Sequence, residues 1–230
     1  MSVVEDDLRL TRPVWHALHA DHQAYCERRG RAVGYASAFG QFRAADIYDA
    51  AALEDIASLS ENEPQISLVE PEPIEPPDGW RARHVQIVQF TATRFPQKPS
   101  PLPVVTLGAD HADQMLDLTD RTRPGPFRQR THEFGGYVGA FEDGRLIAMG
   151  GTRMSIAPFT EISAVCTDPH YQGRGFGGAL ICLIGRALQE KGRTPFLHAN
   201  ADNEIAKGLY RSLGFVETKT LWHSIWERKA

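Results

Sequence analysis

The chain has 230 residues and a formal net charge of −4, with 42% hydrophobic and 23% charged residues. These proportions are ordinary for a globular protein, the acidic balance argues against a nucleic-acid partner, and no window reaches the ~20 apolar residues of a membrane span. The N-terminus lacks the basic and apolar regions of a secretory signal, and the three cysteines match no zinc spacing. We therefore expect a cytoplasmic protein with no metal and no membrane partner that binds a small molecule.

Two proline-rich stretches, Glu63–Pro77 and Phe95–Pro103, mark the first part of the chain. Proline donates no backbone hydrogen bond and disfavours helix in the preceding residue, so both stretches are expected to be connectors. The second stretch predicts a boundary between a smaller N-terminal α/β half, residues 1–103, and a domain at residues 104–230. In the first half the hydrophobic patterns predict helices over Arg12–Arg28 and Ala45–Ser58 and strands over Gln65–Val69 and Val85–Thr91.

In the second half, glycine and turn residues mark the ends of the predicted helices and strands more clearly. Helices are predicted over Ala109–Thr122, Gly175–Lys191 and Asn203–Leu213. Strands are predicted over Val104–Leu107, Tyr137–Phe141, Leu146–Thr152, Thr160–Thr167, Pro195–Asn200, Phe215–Trp222 and His223–Arg228. A Glu-Asp-Gly-Arg turn between the second and third of these strands is typical of a hairpin. The order β-α-β-β-β-α-β-α-β-β indicates a mixed sheet with helices on its faces.

Four glycines, Gly173, Gly175, Gly177 and Gly178, lie where an apolar strand gives way to an apolar helix. Backbone without Cβ atoms lets N–H groups converge on an anion, and the start of the helix adds unpaired donors. The turn therefore predicts a phosphate or pyrophosphate site. It also fits the pattern G-x-G-x-x-G, but residues 168–172 separate it from the strand and little chain follows, so a dinucleotide-binding oxidoreductase is the less favoured alternative.

The segment Gln172-Gly-Arg-Gly-Phe-Gly177 resembles the Q/R-x-x-G-x-G/A signature of the GNAT N-acetyltransferase superfamily. The resemblance extends back to Glu161–Pro169 and forward to Asn203–Phe215, which is similar to the family's N-x-x-A-x-x-L-Y-x-x-L-G-F helix. It covers about residues 104–230 and implies an α/β (α+β) fold with a mixed, mostly antiparallel central sheet flanked by helices. Within the superfamily, Glu161–Cys166 together with Thr194–His198 most resembles proteins related to glycine N-acyltransferases.

The resemblance implies that acetyl-CoA donates an acetyl group to a primary amine of a small molecule or amino acid by direct attack. Main-chain groups of one strand and of the glycine turn would bind the cofactor. The residues implied are Val165, Cys166, Thr167, Gln172, Gly173, Arg174, Gly175, Phe176, Gly177, Gly178 and Asn203. Cys166 is expected to be a small buried residue rather than a nucleophile, and Asn203 is also a candidate helix N-cap.

The same resemblance places Tyr210 as the acid that protonates the leaving thiolate, with a core tyrosine as the alternative. Glu161 and His198 both occupy positions where the family places a base, and the sequence leaves the choice between them open. Between the first helix and the hairpin, Arg121–Arg130 holds four arginines that could bind an acidic acceptor or form a solvated loop. A non-catalytic CoA-binding sensor module is the alternative function, and a homodimer is left open.

Overall fold

The computed structural model describes residues 7–229. Within them the strands are β1 (Cys26–Arg29), β2 (Ala32–Tyr35), β3 (Arg43–Ala45), β4 (Gln65–Glu70), β5 (Trp80–Thr91), β6 (Val104–Thr106), β7 (Val138–Glu142), β8 (Arg145–Ile156), β9 (Phe159–Thr167), β10 (Thr194–Asn200) and β11 (Val216–Arg228). The α-helices are α1 (Pro13–His19), α2 (Ala50–Leu59), α3 (Ala112–Thr122), α4 (Phe176–Glu190) and α5 (Glu204–Ser212). None of the helices between residues 7 and 229 is both long enough and apolar enough to cross a membrane.

Eight strands form the central sheet in the order β4-β11-β5-β10-β9-β8-β7-β6, and β1, β2 and β3 form a separate small sheet. Neighbouring strands of the central sheet are antiparallel except β9 and β10, which run parallel. Helix α4 packs on β8 and β9 through its apolar face, with Leu180 and Ile184 buried. The predicted mixed, mostly antiparallel sheet flanked by helices is confirmed.

The sheet crosses the predicted boundary at residue 103. Strand β5 lies between β10 and β11, and pairs with β11 along nearly its whole length. One hydrophobic cluster also joins the two regions, since it contains Phe42 and Ile87 from the first and Met154 and Phe196 from the second. The boundary therefore marks a change in composition and does not separate two cores.

Two predicted helices begin or end elsewhere. The helix predicted over Arg12–Arg28 ends at His19, because the chain then turns into β1, which pairs with β2 around Gly30 at φ 51°. The helix predicted from Ala45 begins at Ala50, where the carboxylate of Asp49 accepts the N–H of Ala52 at 3.0 Å as an N-cap. Strand pairing in the small sheet of β1, β2 and β3 overrides the local helical pattern at both places.

The hairpin between β7 and β8 has the predicted turn. Asp143 and Gly144 both have positive φ, at 50° and 75°, as a two-residue hairpin turn of this twist requires. At the other end of the chain, the two strands predicted over 215–222 and 223–228 are one continuous strand, β11, interrupted only by a register shift between Glu217 and Lys219.

Candidate active site

A gap between β9 and β10 forms the centre of the site. These strands pair only where Phe159–Glu161 faces Thr194–Phe196, and beyond that point they diverge. Strand β9 also carries a bulge against β8, with Ala164 in the left-handed region at φ 54°. A bulge bends its strand and increases the local twist. The carboxyl end of β9 is thus turned away from β10, which leaves room for a ligand between two strands of one sheet.

The cofactor cleft, a cavity of about 530 Å³, occupies this gap between the end of β9, the glycine turn and α5. Its lining includes His198 from β10 and Tyr210 from α5, a candidate base and the candidate acid. Of the residues predicted to bind a cofactor, it is lined by Val165, Cys166, Thr167, Gln172, Gly177 and Asn203. Residues far apart in the sequence are therefore brought together around one cavity.

The glycine turn is open. Gly173 and Gly175 have φ of 76° and 92°, and a Cβ atom built on either would meet no atom within 4 Å. Among residues 7–229, no protein acceptor is found for the backbone N–H groups from Gln172 to Gly178, and α4 starts inside this stretch, at Phe176. Unpaired N–H groups at the start of a helix are the donors that bind phosphate in other proteins.

Side chains leave the turn uncovered. The guanidinium of Arg174 stacks 4.8 Å from the centre of the Tyr171 ring and donates to the carbonyl of His170 at 3.3 Å. Phe176 is buried in the core, and a Cβ at Gly178 would lie 2.9 Å from Nζ of Lys98. Backbone amides, rather than these side chains, are what the turn presents to a ligand.

Two residues of the cleft have a clear local role. Asn203 caps α5, since its Oδ1 accepts the N–H of Ala206 at 3.0 Å. Cys166 is buried, and burial raises the pKa of its thiol to about 11 even though a hydrogen bond with Thr122 acts in the opposite direction. A thiol that stays protonated is a poor nucleophile, which agrees with the prediction of a small buried residue.

Tyr210 reaches the cleft from the last turn of α5. Its ring packs edge-on against Phe90 at 5.5 Å and lies 6.0 Å from Phe215. Among the described residues no protein group hydrogen-bonds its hydroxyl. Burial, together with the negative charge of Glu161, raises the pKa of Tyr210 above its ordinary value of 10.0. The phenol is therefore protonated at neutral pH and has a free proton to donate.

A buried ion pair lies beside this tyrosine. Glu161, 1% exposed, accepts two hydrogen bonds from Arg153 at 2.7 and 2.8 Å and one from Nδ1 of His198 at 2.8 Å. Burial opposes ionisation of Glu161, but the charge of Arg153 and the hydrogen bonds outweigh it and lower its pKa to about 2. The carboxylate is charged and a weak proton acceptor at neutral pH.

The other nitrogen of His198 meets Gln89. Nε2 of Gln89 donates to the carbonyl of Leu10 at 3.0 Å and lies 3.1 Å from Nε2 of His198. Because the Leu10 carbonyl can only accept, the amide nitrogen of Gln89 is the donor and His198 Nε2 the acceptor. The His198 proton is therefore on Nδ1, facing Glu161. Oε1 of Gln89 is buried without a partner in the described residues.

A second cavity, the acceptor cavity, shares His198 and Tyr210 with the cofactor cleft. It measures about 150 Å³ and is lined by Glu161, Arg153 and His223 as well as by these two residues. It continues into a wider outer groove of about 840 Å³, with which it shares a wall of Pro124, Gly125, Pro126, Asn200 and His223. His198 and Tyr210 line both the acceptor cavity and the cofactor cleft, so they stand where the two meet.

Arg153 and Gln89 belong to the site but were not predicted from the sequence. Gln89 on β5 faces His198 on β10, and these two strands are far apart in the sequence. No local pattern therefore indicates that contact. Arg153 could have been found, because it and Glu161 are opposite charges on the two strands of a hairpin, and such pairs face each other across neighbouring strands.

Comparison with known proteins agrees with this geometry. Residues 137–226 match the family model of FR47-like proteins. The chain is 39% identical over 84 residues to the N-alpha-acetyltransferase RimI of Mycobacterium tuberculosis. It is 36% identical over 118 residues to a mycothiol acetyltransferase of Nocardiopsis dassonvillei. It spans only 51% of the first relative and 35% of the second.

A protein of the GNAT acetyltransferase family from Novosphingobium aromaticivorans matches from end to end. Its crystal structure superposes with a TM-score of 0.86, covering 97% of this chain and 100% of that one, with 34% of residues identical. A GCN5-related N-acetyltransferase from Kribbella flavida shares the fold over 94% of this chain, at a TM-score of 0.61 and 16% identity. Identity of 34% over nearly the full length of both chains shows that this protein belongs to the GNAT acetyltransferase family.

Proposed function

We propose that the protein transfers an acetyl group from acetyl-CoA to a primary amine of a small molecule or amino acid, by direct attack within a ternary complex. One observation carries the proposal: His198 and Tyr210 line both the cofactor cleft and the acceptor cavity. A thioester in the first cavity and an amine in the second would meet beside a ring nitrogen and a protonated phenol. These are the two kinds of group that such a transfer needs.

The residues of the cofactor cleft fit acetyl-CoA. Its long pantetheine arm would lie along the exposed backbone edge of Val165, Cys166 and Thr167, where β9 has lost its partner. Its diphosphate would be held by the unpaired N–H groups between Gln172 and Gly178, whose neighbouring glycines leave open space. Acetyl-CoA supplies the activated acyl group, and the chain supplies the position and the two proton transfers.

Tyr210 is proposed as the acid. Its hydroxyl has no partner among the described residues, and its raised pKa keeps the proton in place until the departing sulfur needs it. As the new C–N bond forms and the C–S bond breaks, the proton of Tyr210 passes to the thiolate of CoA. The phenolate then recovers a proton from solvent or from the protonated base.

His198 is proposed as the base, with Glu161 as a positioning residue. The oxygens of Glu161 are occupied by Arg153 and His198, and its lowered pKa makes it a weak acceptor. His198 carries its lone pair on Nε2, which now accepts from Gln89. Movement of the Gln89 side chain away from the ring would release Nε2 of His198 for the proton of the amine.

The acceptor is proposed from the size of its cavity. About 150 Å³ beside the catalytic pair suits an amine-bearing end of a molecule, and the groove outside it has room for the rest. The finer resemblance to glycine N-acyltransferase-like proteins, carried by Glu161–Cys166 and Thr194–His198, is part of this proposal and favours amino acids among the acceptors. The relatives named RimI and mycothiol acetyltransferase show that similar chains belong to enzymes with different acceptors.

Turnover tests the proposal. Purified protein is incubated with acetyl-CoA and a panel of primary amines that includes free amino acids, and thiol release and acetylated product are both measured. We expect thiol release that depends on the amine and matches the N-acetylated product. If the protein binds CoA in calorimetry but acetylates no amine of the panel, the sensor module is the better description and the proposal fails.

A further inference from the structure

The four arginines of the Arg121–Arg130 loop differ in what neutralises them. Arg121 pairs with Asp117 at 2.9 Å and also with Asp168, and Arg130 pairs with Glu133 at 2.6 Å. Each of these two guanidinium groups therefore has a carboxylate of its own. Neither Arg121 nor Arg130 is among the residues that line the outer groove.

The remaining two arginines do line that groove. Arg128 lies 3.0 Å from the buried carboxylate of Glu63, but Glu63 also faces the buried Arg43 at 3.9 Å, so one negative charge serves two guanidinium groups. Arg123 has no acidic partner among the described residues. It lines both the outer groove and the cofactor cleft, and its neighbour Pro124 also lines the acceptor cavity.

Arg123 also has an unusual backbone. It follows the last residue of α3 in the left-handed conformation, at φ 48° and ψ 55°, where glycine is normally preferred. A residue with a Cβ atom is strained there by about 1–2 kcal/mol. Strain of this kind persists where the surrounding structure fixes the backbone, and here the N–H of Arg123 closes the end of α3 on the carbonyl of Thr119 at 2.7 Å. The end of the helix therefore fixes where the side chain of Arg123 leaves the chain, at the outer groove.

A third cation of the outer groove comes from the N-terminal region. Arg83, on β5, is exposed, lines the outer groove and has no acidic partner in the described part of the chain. Asp120 is the one acidic side chain of the groove lining between residues 7 and 229. Three arginines against one aspartate, with Arg128 only partly neutralised, leave the groove with excess positive charge.

We infer that the amine acceptor carries an anionic oxyacid group, a carboxylate or a phosphate, which Arg123 binds in the outer groove together with Arg83 and Arg128. The guanidinium group offers paired N–H donors that match both anions, and neutral acceptors would leave these charges without a partner. This inference rests on the proposed acetyl transfer and adds the class of acceptor to it.

Matched acceptors test the inference. Free amino acids are compared with their carboxamides, and O-phosphoethanolamine with ethanolamine, so that each pair differs in the anionic group. We expect kcat/KM to favour the anionic member, with the carboxylate and phosphate pairs showing which anion the groove accepts. Equal or lower kcat/KM for the anionic member of every pair would overturn the inference.

Arg123→Asn removes the charge while keeping a residue that tolerates the left-handed backbone. We expect it to raise KM for the anionic acceptor about tenfold or more, with a much smaller effect on the neutral member of the pair. Comparing the variant with the wild type within one acceptor cancels differences in amine basicity. Arg130→Asn, an equal loss of charge at a side chain paired with Glu133, is the control and should change neither value.

An unchanged KM for the anionic acceptor in Arg123→Asn would overturn the role of Arg123, and so would a rise confined to the KM for acetyl-CoA. A binding measurement separates this inference from the proposed function. The N-acetylated acid and the N-acetylated amide are titrated by calorimetry into the protein saturated with CoA. Preferential binding of the acid, lost in Arg123→Asn, supports the anion site even if turnover is absent, and equal binding contradicts it.

Discussion

The cofactor cleft and the acceptor cavity meet at His198 and Tyr210, yet they are built in different ways. In the cleft, the groups proposed to bind CoA are backbone groups: the unpaired edge of β9 and the amides of the glycine turn lie within one continuous stretch, residues 165–178. The acceptor cavity is mainly side chains from distant strands and from the N-terminal region, such as Phe42 and His223. Backbone recognition is tied to a short motif, whereas side-chain recognition depends on the tertiary structure.

The largest expected effect on turnover comes from changing Tyr210, which lines both cavities. Tyr210→Phe removes the proposed acid but keeps the ring that packs against Phe90. We expect kcat to fall by about 10²–10⁴-fold with little change in the affinity for CoA. Because the pKa of Tyr210 is raised and the acid acts when protonated, wild-type kcat should not decline until the pH exceeds about 10. Wild-type turnover in the variant would remove Tyr210 from the mechanism.

The acceptor cavity should be sensitive to loss of its buried charge. Glu161→Gln leaves Arg153 buried without a carboxylate, and we expect a loss of about 3–5 kcal/mol in the free energy of unfolding measured with urea. The double variant Arg153→Met with Glu161→Met removes both charges and should be less destabilised than the single one. If the double variant is the less stable of the two, the ion pair is not what Glu161 contributes.

The cofactor cleft should respond to added volume instead. Gly175→Ala places a methyl group in the open turn, and we expect CoA affinity measured by calorimetry to fall about tenfold or more, because amide–phosphate hydrogen bonds are lost. Gly192→Ala is the matched control, since Gly192 also has positive φ, at 69°, and open space around it, but lies at the far end of α4. Equal CoA affinity in the two variants would contradict backbone recognition.

The smallest expected effect concerns the N-terminal region that supports the acceptor cavity. Burial lowers the pKa of His22 from its ordinary value of 6.5 to about 4 in the folded protein. Between pH 6.5 and pH 4 the unfolded chain therefore binds a proton at this imidazole, whereas the folded protein keeps it neutral. Above pH 6.5 the neutral histidine costs no stability. As the pH falls from 6.5 towards 4, the free energy of unfolding decreases, by about 1 kcal/mol at pH 5.5.

His22→Gln should accordingly flatten the fall in melting temperature between pH 6.5 and 4.5. His19→Gln, at an exposed histidine three residues earlier, is the control and should keep the wild-type slope. The same slope in all three proteins would show that His22 does not resist protonation in the folded state.

The contrast between the two cavities also explains how much the sequence could predict. The glycine turn, the helix with Asn203 and Tyr210, and the strand before the turn are local patterns, and the structure brings their residues to one cleft. Which base the site uses could not be chosen, because the contact of His198 with Gln89 joins two strands that are far apart in the sequence and exists only after the sheet has formed. The small sheet of β1, β2 and β3 was not predicted for a different reason: its strands have only three or four residues each, too few to show a periodic pattern.

The position of β5 has a consequence for any shortened version of the protein. The matched family segment, residues 137–226, contains β10 and most of β11, yet these strands do not touch, because β5 from outside the segment lies between them. Expressing that segment alone would leave β11 without either of its partners, β4 and β5, expose one edge each of β10 and β7, and deprive His198 of its Gln89 neighbour. A shortened protein, or a chimaera with another chain, must therefore keep the first hundred residues together with the matched segment.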